Sequence, residues 1–128
     1  MSYKILNVNM KTQKATRENV PPSWSQLGGR GLIARILVDE VPPHCAPLGP
    51  HNTLIYAPGL LVGHRLSSCD RISIGGKSPL TGGVKEANAG GRTGFHLANL
   101  GVKAMLIEDH PPTKTWFVLH VSKGGVKF

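Results

Sequence analysis

The sequence predicts an α+β domain, rich in sheet, with two short helices. Three observations carry this. Short apolar–polar alternating segments recur along the chain, as half-buried strands require. Two stretches with helical apolar spacing are each bounded by glycine. Sixteen glycines and ten prolines among 128 residues mean many turns, which argues against a helical bundle. The length suits one ordinary domain, 1–128, and is too short for a multi-domain redox enzyme.

The elements follow in order. Residues 3–10 alternate from Leu6 to Met10, and the turn Lys11-Thr12-Gln13-Lys14 leads into a second short strand that Pro21-Pro22 ends. Leu32, Ile33, Ile36 and Leu37 fall on one face of a helix over 31–40, stopped by Val41-Pro42-Pro43. A proline-rich loop runs to about Asn52, and Thr53-Leu54-Ile55-Tyr56-Ala57 reads as a buried strand. After a second loop from Pro58 to Asp70, Arg71-Ile72-Ser73-Ile74 is a short alternating strand leading to Gly75-Gly76. Residues 94–100 form a short helix closed by Gly101. Lys103–Glu108 and Thr115–Val121 read as a hairpin around Asp109-His110-Pro111-Pro112.

The net charge is +8, which suits an anionic partner such as a phosphorylated cofactor or an acidic neighbouring domain. The basic residues are scattered and aromatics are few, so no interleaved basic–aromatic surface points to nucleic acid. Cys45 and Cys69 are the only cysteines. Two thiols cannot ligate a four-cysteine cluster or zinc site, and both are expected to be free in a reducing cytoplasm. Residues 1–10 lack the apolar core of a signal peptide, and no apolar run reaches membrane-span length. The protein is therefore expected in the cytoplasm, without a membrane partner.

Three segments could carry chemistry. Gly29-Arg30-Gly31-Leu32-Ile33-Ala34 has the form of the dinucleotide fingerprint. No buried strand precedes it and no acidic residue stands near twenty positions on to hold a ribose, so the glycines read as a turn into the helix. Ala87-Asn88-Ala89-Gly90-Gly91-Arg92-Thr93-Gly94 runs into the second helix. Glycines there would let an anionic group approach backbone N–H groups, although plain turns share this pattern. Arg71 offers a planar fork suited to phosphate, or else a solvated charge at a strand end. The six histidines show no metal spacing, and no catalytic residue is assigned.

Taken in order, these pieces resemble the N-terminal domain of the tungsten-containing aldehyde ferredoxin oxidoreductases. The segments are Gly28-Gly29-Arg30-Gly31-Leu32, Asp39-Glu40-Val41-Pro42-Pro43, Pro47-Leu48-Gly49-Pro50, Leu54-Ile55-Tyr56-Ala57-Pro58-Gly59, Lys77-Ser78-Pro79-Leu80-Thr81-Gly82-Gly83 and Ala87-Asn88-Ala89-Gly90-Gly91. The resemblance covers nearly the whole chain. It implies a sheet-rich base for a tungsten held by two pterins, with magnesium bridging the pterin phosphates. It further implies an enzyme class that oxidises aldehydes to carboxylic acids and passes electrons to ferredoxin.

Carried over by position, Arg71 would meet a pterin phosphate, and Asn88, Ala89, Gly90 and Gly91 would meet the pterin. The Asn88 carbonyl would reach the magnesium, a hard cation suited to oxygen ligands. The family's 4Fe-4S cluster finds no ligand set here. Two local departures stand out: Arg92 and Thr93 replace the aromatic residues usual after the double glycine, and Thr12-Gln13 replaces a usual Thr-Gly turn. Family enzymes are far longer, so the resemblance implies a truncated domain, inactive without cluster-bearing domains or a second subunit, and prone to self-association. Outside the resemblance, the same residues would suit a non-catalytic module for a phosphorylated ligand, or a ligand-free remnant.

Overall fold

A computed structural model describes residues 3–128. Six strands form one mixed sheet: β1 (Lys4–Asn9), β2 (Lys14–Asn19), β3 (Thr53–Pro58), β4 (Ile72–Lys77), β5 (Val84–Ala89) and β6 (Val102–Glu108). Their order is β2-β1-β6-β3-β4-β5. Only β1 and β6 run parallel; the other neighbours are antiparallel. Helix α1 (Gly29–Glu40) covers one face. Helix α2 (Thr93–Asn99) and a small hairpin of β7 (His120–Ser122) and β8 (Gly125–Lys127) lie against the other. Among the described residues, no helix is long and apolar enough to cross a membrane.

The period-2 pattern of the strands sorts the core into two layers. Ile5, Ile55, Ala57, Ala104 and Leu106 face α1 and pack against Leu32, Ile33, Ile36 and Leu37. Leu6, Val8, Ile72 and Met105 face the other way, toward Leu97 of α2. The α1 stripe is the one its spacing predicts, and the helix starts two residues before the expected 31. Trp24, buried at the end of a short 3₁₀ turn, donates its indole N–H to Asp39 at 2.7 Å, which ties the approach to α1 to its last turn. That bond comes first, and Arg35 second, in holding the Asp39 carboxyl below its ordinary range.

The C-terminal expectation needs correcting. Lys103–Glu108 forms no hairpin with Thr115–Val121; it lies in β6, a central strand between β1 and β3. Residues 115–119 have no ladder partner, and β7 and β8 pair with each other instead. The alternation there is real but arises from packing. Leu119 and Val121 pack toward the core while Trp116 and Val118 are exposed. A second difference is β5, unmarked by apolar alternation because it is an edge strand with five of its six residues exposed. In the β1–β2 turn Gln13 adopts φ +52°, the left-handed region that favours glycine, so the departure from Thr-Gly keeps the shape at a conformational cost.

At one end of the sheet, Glu108 is half-buried and faces Glu40, Glu18 and Asp109. Burial first, and then these carboxylates, raise its pKa above the ordinary 4.5. The fold thus binds this proton more tightly than the unfolded chain, and the stability so gained is lost as pH rises from about 4.5 through the folded value. Glu108→Gln should therefore raise the urea midpoint at neutral pH and change it little below about pH 4. Equal shifts at both pH values would show that packing and not charge limits this position.

Candidate functional site

The residues singled out by sequence meet at one end of β4 and β5, on the face covered by α1. In the β4–β5 ladder, Ile72 pairs with Ala89 and Ser73 with Asn88, so the step beyond sets Arg71 opposite Gly90. The Asn88 amide joins both strands. Its Oδ1 accepts from Arg71 Nη1 at 2.7 Å, and its Nδ2 donates to Ser73 Oγ at 3.2 Å. Ser73 is only 2% exposed, whereas Arg71 and Asn88 are open to solvent. Sequence reasoning missed Ser73: a serine in an alternating strand carries no signal until its cross-strand partner is known.

Glycine shapes the surroundings. A Cβ on Gly28 would lie 2.3 Å from the Leu60 nitrogen, so the chain entering α1 runs directly against the loop after β3. Gly29 packs over Ser73, where an added Cβ would stand 3.4 Å from Oγ. At Gly90 and Gly91 an added Cβ would meet nothing within 4 Å, and Gly91 has φ +94°. These two glycines leave an exposed stretch of backbone at the end of β5, across the ladder from Arg71. β5 is also the last strand of the sheet, so on its outer side alternate backbone groups lack a ladder partner.

Beyond the double glycine, the Arg92 guanidinium carbon lies 5.9 Å from the Phe95 ring centroid, a cation–π approach on the first turn of α2. The arginine that replaces an aromatic residue thus has an aromatic partner one turn on. Lys77, at the other end of β4, donates through Nζ to the Pro43 and Cys45 carbonyls and ties down the proline-rich loop. Both cysteines are free and sit in different loops. Among the described residues, no group of three or more His, Cys, Asp or Glu side chains could hold a metal ion.

The arrangement brings a guanidinium, a side-chain amide and a buried hydroxyl together beside exposed backbone, groups that can donate to an anion.

Comparison with known proteins bears on the family and the fold. The family model for the aldehyde ferredoxin oxidoreductase N-terminal domain matches residues 5–128. The tungsten-containing aldehyde ferredoxin oxidoreductase of Thermococcus kodakarensis is 37% identical over 109 residues, spanning 82% of this chain and 18% of that protein. The Pyrococcus furiosus enzyme of the same name is 40% identical over 91 residues, spanning 71% of this chain and 15% of that protein. The chain therefore covers less than a fifth of the length of these relatives. A solved structure, the active site complex BamBC of benzoyl coenzyme A reductase with 1,5-dienoyl-CoA, superposes with a TM-score of 0.81 at 31% identity. The match covers 87% of this chain and 17% of the solved one. With the sheet, its two helices and nearly all of its length matched, the chain belongs to the aldehyde ferredoxin oxidoreductase N-terminal domain family.

Proposed function

We propose that the chain is a base for a tungsten bis-pterin cofactor, with Arg71, Asn88, Ala89, Gly90 and Gly91 forming a seat for pterin phosphate. The observation that carries this reading is the Arg71–Asn88 contact beside the open Gly90–Gly91 backbone. Arg71 would supply charge and a planar fork, and the glycines backbone N–H groups with no side chain in the way. The Asn88 carbonyl is the proposed oxygen ligand for a magnesium ion between phosphates. The residues fit such a group: the fork is exposed and an added Cβ at Gly90 or Gly91 would meet nothing within 4 Å. When bound, the metallopterin supplies the two-electron redox chemistry; this chain orients it and shields one side from water.

The residues do not fit the family's 4Fe-4S cluster, since Cys45 and Cys69 cannot provide four thiolates. Aldehyde oxidation with ferredoxin as acceptor is thus proposed for an assembly that includes cluster-bearing parts, either further domains or a second subunit. The domain type is shared by enzymes named for aldehydes and by a benzoyl coenzyme A reductase complex. That supports a common cofactor base and leaves substrate choice to other parts of the enzyme.

Three tests follow. Arg71→Ala should weaken binding of a phosphate-bearing pterin by about 1.5–3 kcal/mol, the range for a charge-assisted hydrogen bond. Gly90→Val should weaken it too by crowding the open backbone, where an added Cβ would meet nothing of the fold within 4 Å; unchanged affinity in both variants, read by calorimetry, would remove the seat. The purified chain alone should show no viologen-linked aldehyde oxidation, and turnover without another subunit would overturn the division of labour. Leu80, Trp116 and Val118 are 92%, 97% and 85% exposed, large apolar side chains that a partner surface could cover. Sedimentation should accordingly reveal concentration-dependent association, and a monomer across the whole range would count against it.

A further inference from the structure

We propose that Ser73 is a positioning residue, fixing the Asn88 amide and through it the Arg71 guanidinium. The proposal rests on the phosphate-seat reading above and adds to it the residue that orders the seat before a ligand arrives.

Hydrogen-bond polarity fixes the orientation of the Asn88 amide. Arginine has only donors, so the group facing Arg71 Nη1 must be the amide oxygen of Asn88. The amide then turns its NH₂ toward β4, and a donor there needs an acceptor. Ser73 Oγ is that acceptor, at 3.2 Å. The result is a one-way chain, from Arg71 N–H to Asn88 Oδ1 and from Asn88 N–H to Ser73 Oγ. A flipped amide would set donor against donor at Arg71, so the chain has one stable direction.

Burial makes Ser73 the anchor. Arg71 and Asn88 are exposed and would otherwise sample many rotamers, and ordering them on ligand binding would cost affinity. Ser73 is 2% exposed, its backbone is set by the β4–β5 ladder, and Gly29 packs over its hydroxyl. A fixed hydroxyl at one end of the chain thereby restricts two exposed side chains at the other. The geometry also selects which edge of the guanidinium is offered. Nη1 is engaged by Asn88, and among the described residues the Arg71 side chain makes no other hydrogen bond. The Nε–Nη2 edge is left to face a ligand, and two parallel N–H groups on that edge match two oxygens of a phosphate.

The test uses the full chain, with Ser73→Ala, Asn88→Ala, the double variant and Arg71→Ala. The first readout needs no ligand: ¹⁵N relaxation of the Arg71 Nε–H and solvent exchange of the Asn88 side-chain NH₂. Ser73→Ala should loosen both, and Asn88→Ala should loosen the arginine to the same degree. The second readout is titration with pyrophosphate, the probe for a phosphate ligand. Each single variant should weaken binding about three- to tenfold, the scale of one neutral hydrogen bond, and the double variant no more than either single one. Ser73→Cys, close in size but a weak acceptor, should behave like Ser73→Ala and replaces it if the alanine variant does not fold.

An Arg71 Nε–H as ordered in Ser73→Ala as in the parent chain would overturn the proposal. So would losses that multiply in the double variant. If Ser73→Ala binds pyrophosphate normally while Arg71→Ala does not, the seat stands and the positioning role falls. If Arg71→Ala binds as tightly as the parent chain, the seat falls, and with it the purpose assigned to Ser73.

Discussion

The fold depends on the close approach of α1 to the sheet, which glycine alone permits. A Cβ at Gly28 would overlap the backbone of Leu60, and one at Gly75 would press on Ile33 and the Lys85 carbonyl at 3.0 and 2.9 Å. The Ile33 side chain therefore rests directly on the β4 backbone at Gly75, and the entry of α1 rests on the loop after β3 at Gly28. This close approach lets Leu32, Ile33, Ile36 and Leu37 reach Ile5, Ile55, Ala57, Ala104 and Leu106. It also sets the start of α1 over Ser73, so the packing that makes the core also encloses the floor of the proposed seat.

One-sided burial writes a period into a sequence. Both helices are legible from apolar spacing and flanking glycines, and β1, β3 and β4 from alternation or a short apolar run, while the largely exposed β2 is marked only by the turn before it and the prolines after it. β6 was recognised as a strand but given the wrong partner. Val102, Ala104, Met105 and Leu106 are all buried, which marks a central strand and not one arm of an exposed hairpin. β5 left no pattern, since an exposed edge strand with the sequence Val-Lys-Glu-Ala-Asn-Ala buries almost nothing. The resemblance assigns Arg71, Asn88, Gly90 and Gly91 to one pterin, and the β4–β5 ladder brings Arg71 and Asn88 together. The residue-by-residue register of that ladder is not legible in a single sequence. Ser73 lay beyond reach for the same reason.

The distribution of charge complements this division. The chain carries fifteen Lys and Arg against seven Asp and Glu, yet Glu18, Glu40, Glu108 and Asp109 gather at one end of the sheet. Arg71 and the exposed backbone of Gly90 and Gly91 stand at the junction of β4, β5 and α2. A molecule with separated regions of opposite sign presents itself to an anion in a preferred orientation. An anionic cofactor would meet the cationic residues beside the open backbone, while the carboxylates repel it from the strands near α1's last turn.

The parallel pair at the centre of the sheet also governs how the chain comes to fold. Lys4 of β1 pairs with Val102 of β6, and β3 reaches β1 only through that same strand. On the ribosome, the β1–β2 hairpin and the β3–β4–β5 meander emerge before β6, with α1 packing on both but no strand joining them. Each keeps a strand edge unpaired until β6 has been synthesised. Closing so long a loop carries a large entropic cost before any contact repays it. Assembly therefore waits on one late strand, and for most of its synthesis the nascent domain carries exposed edges that other chains can join.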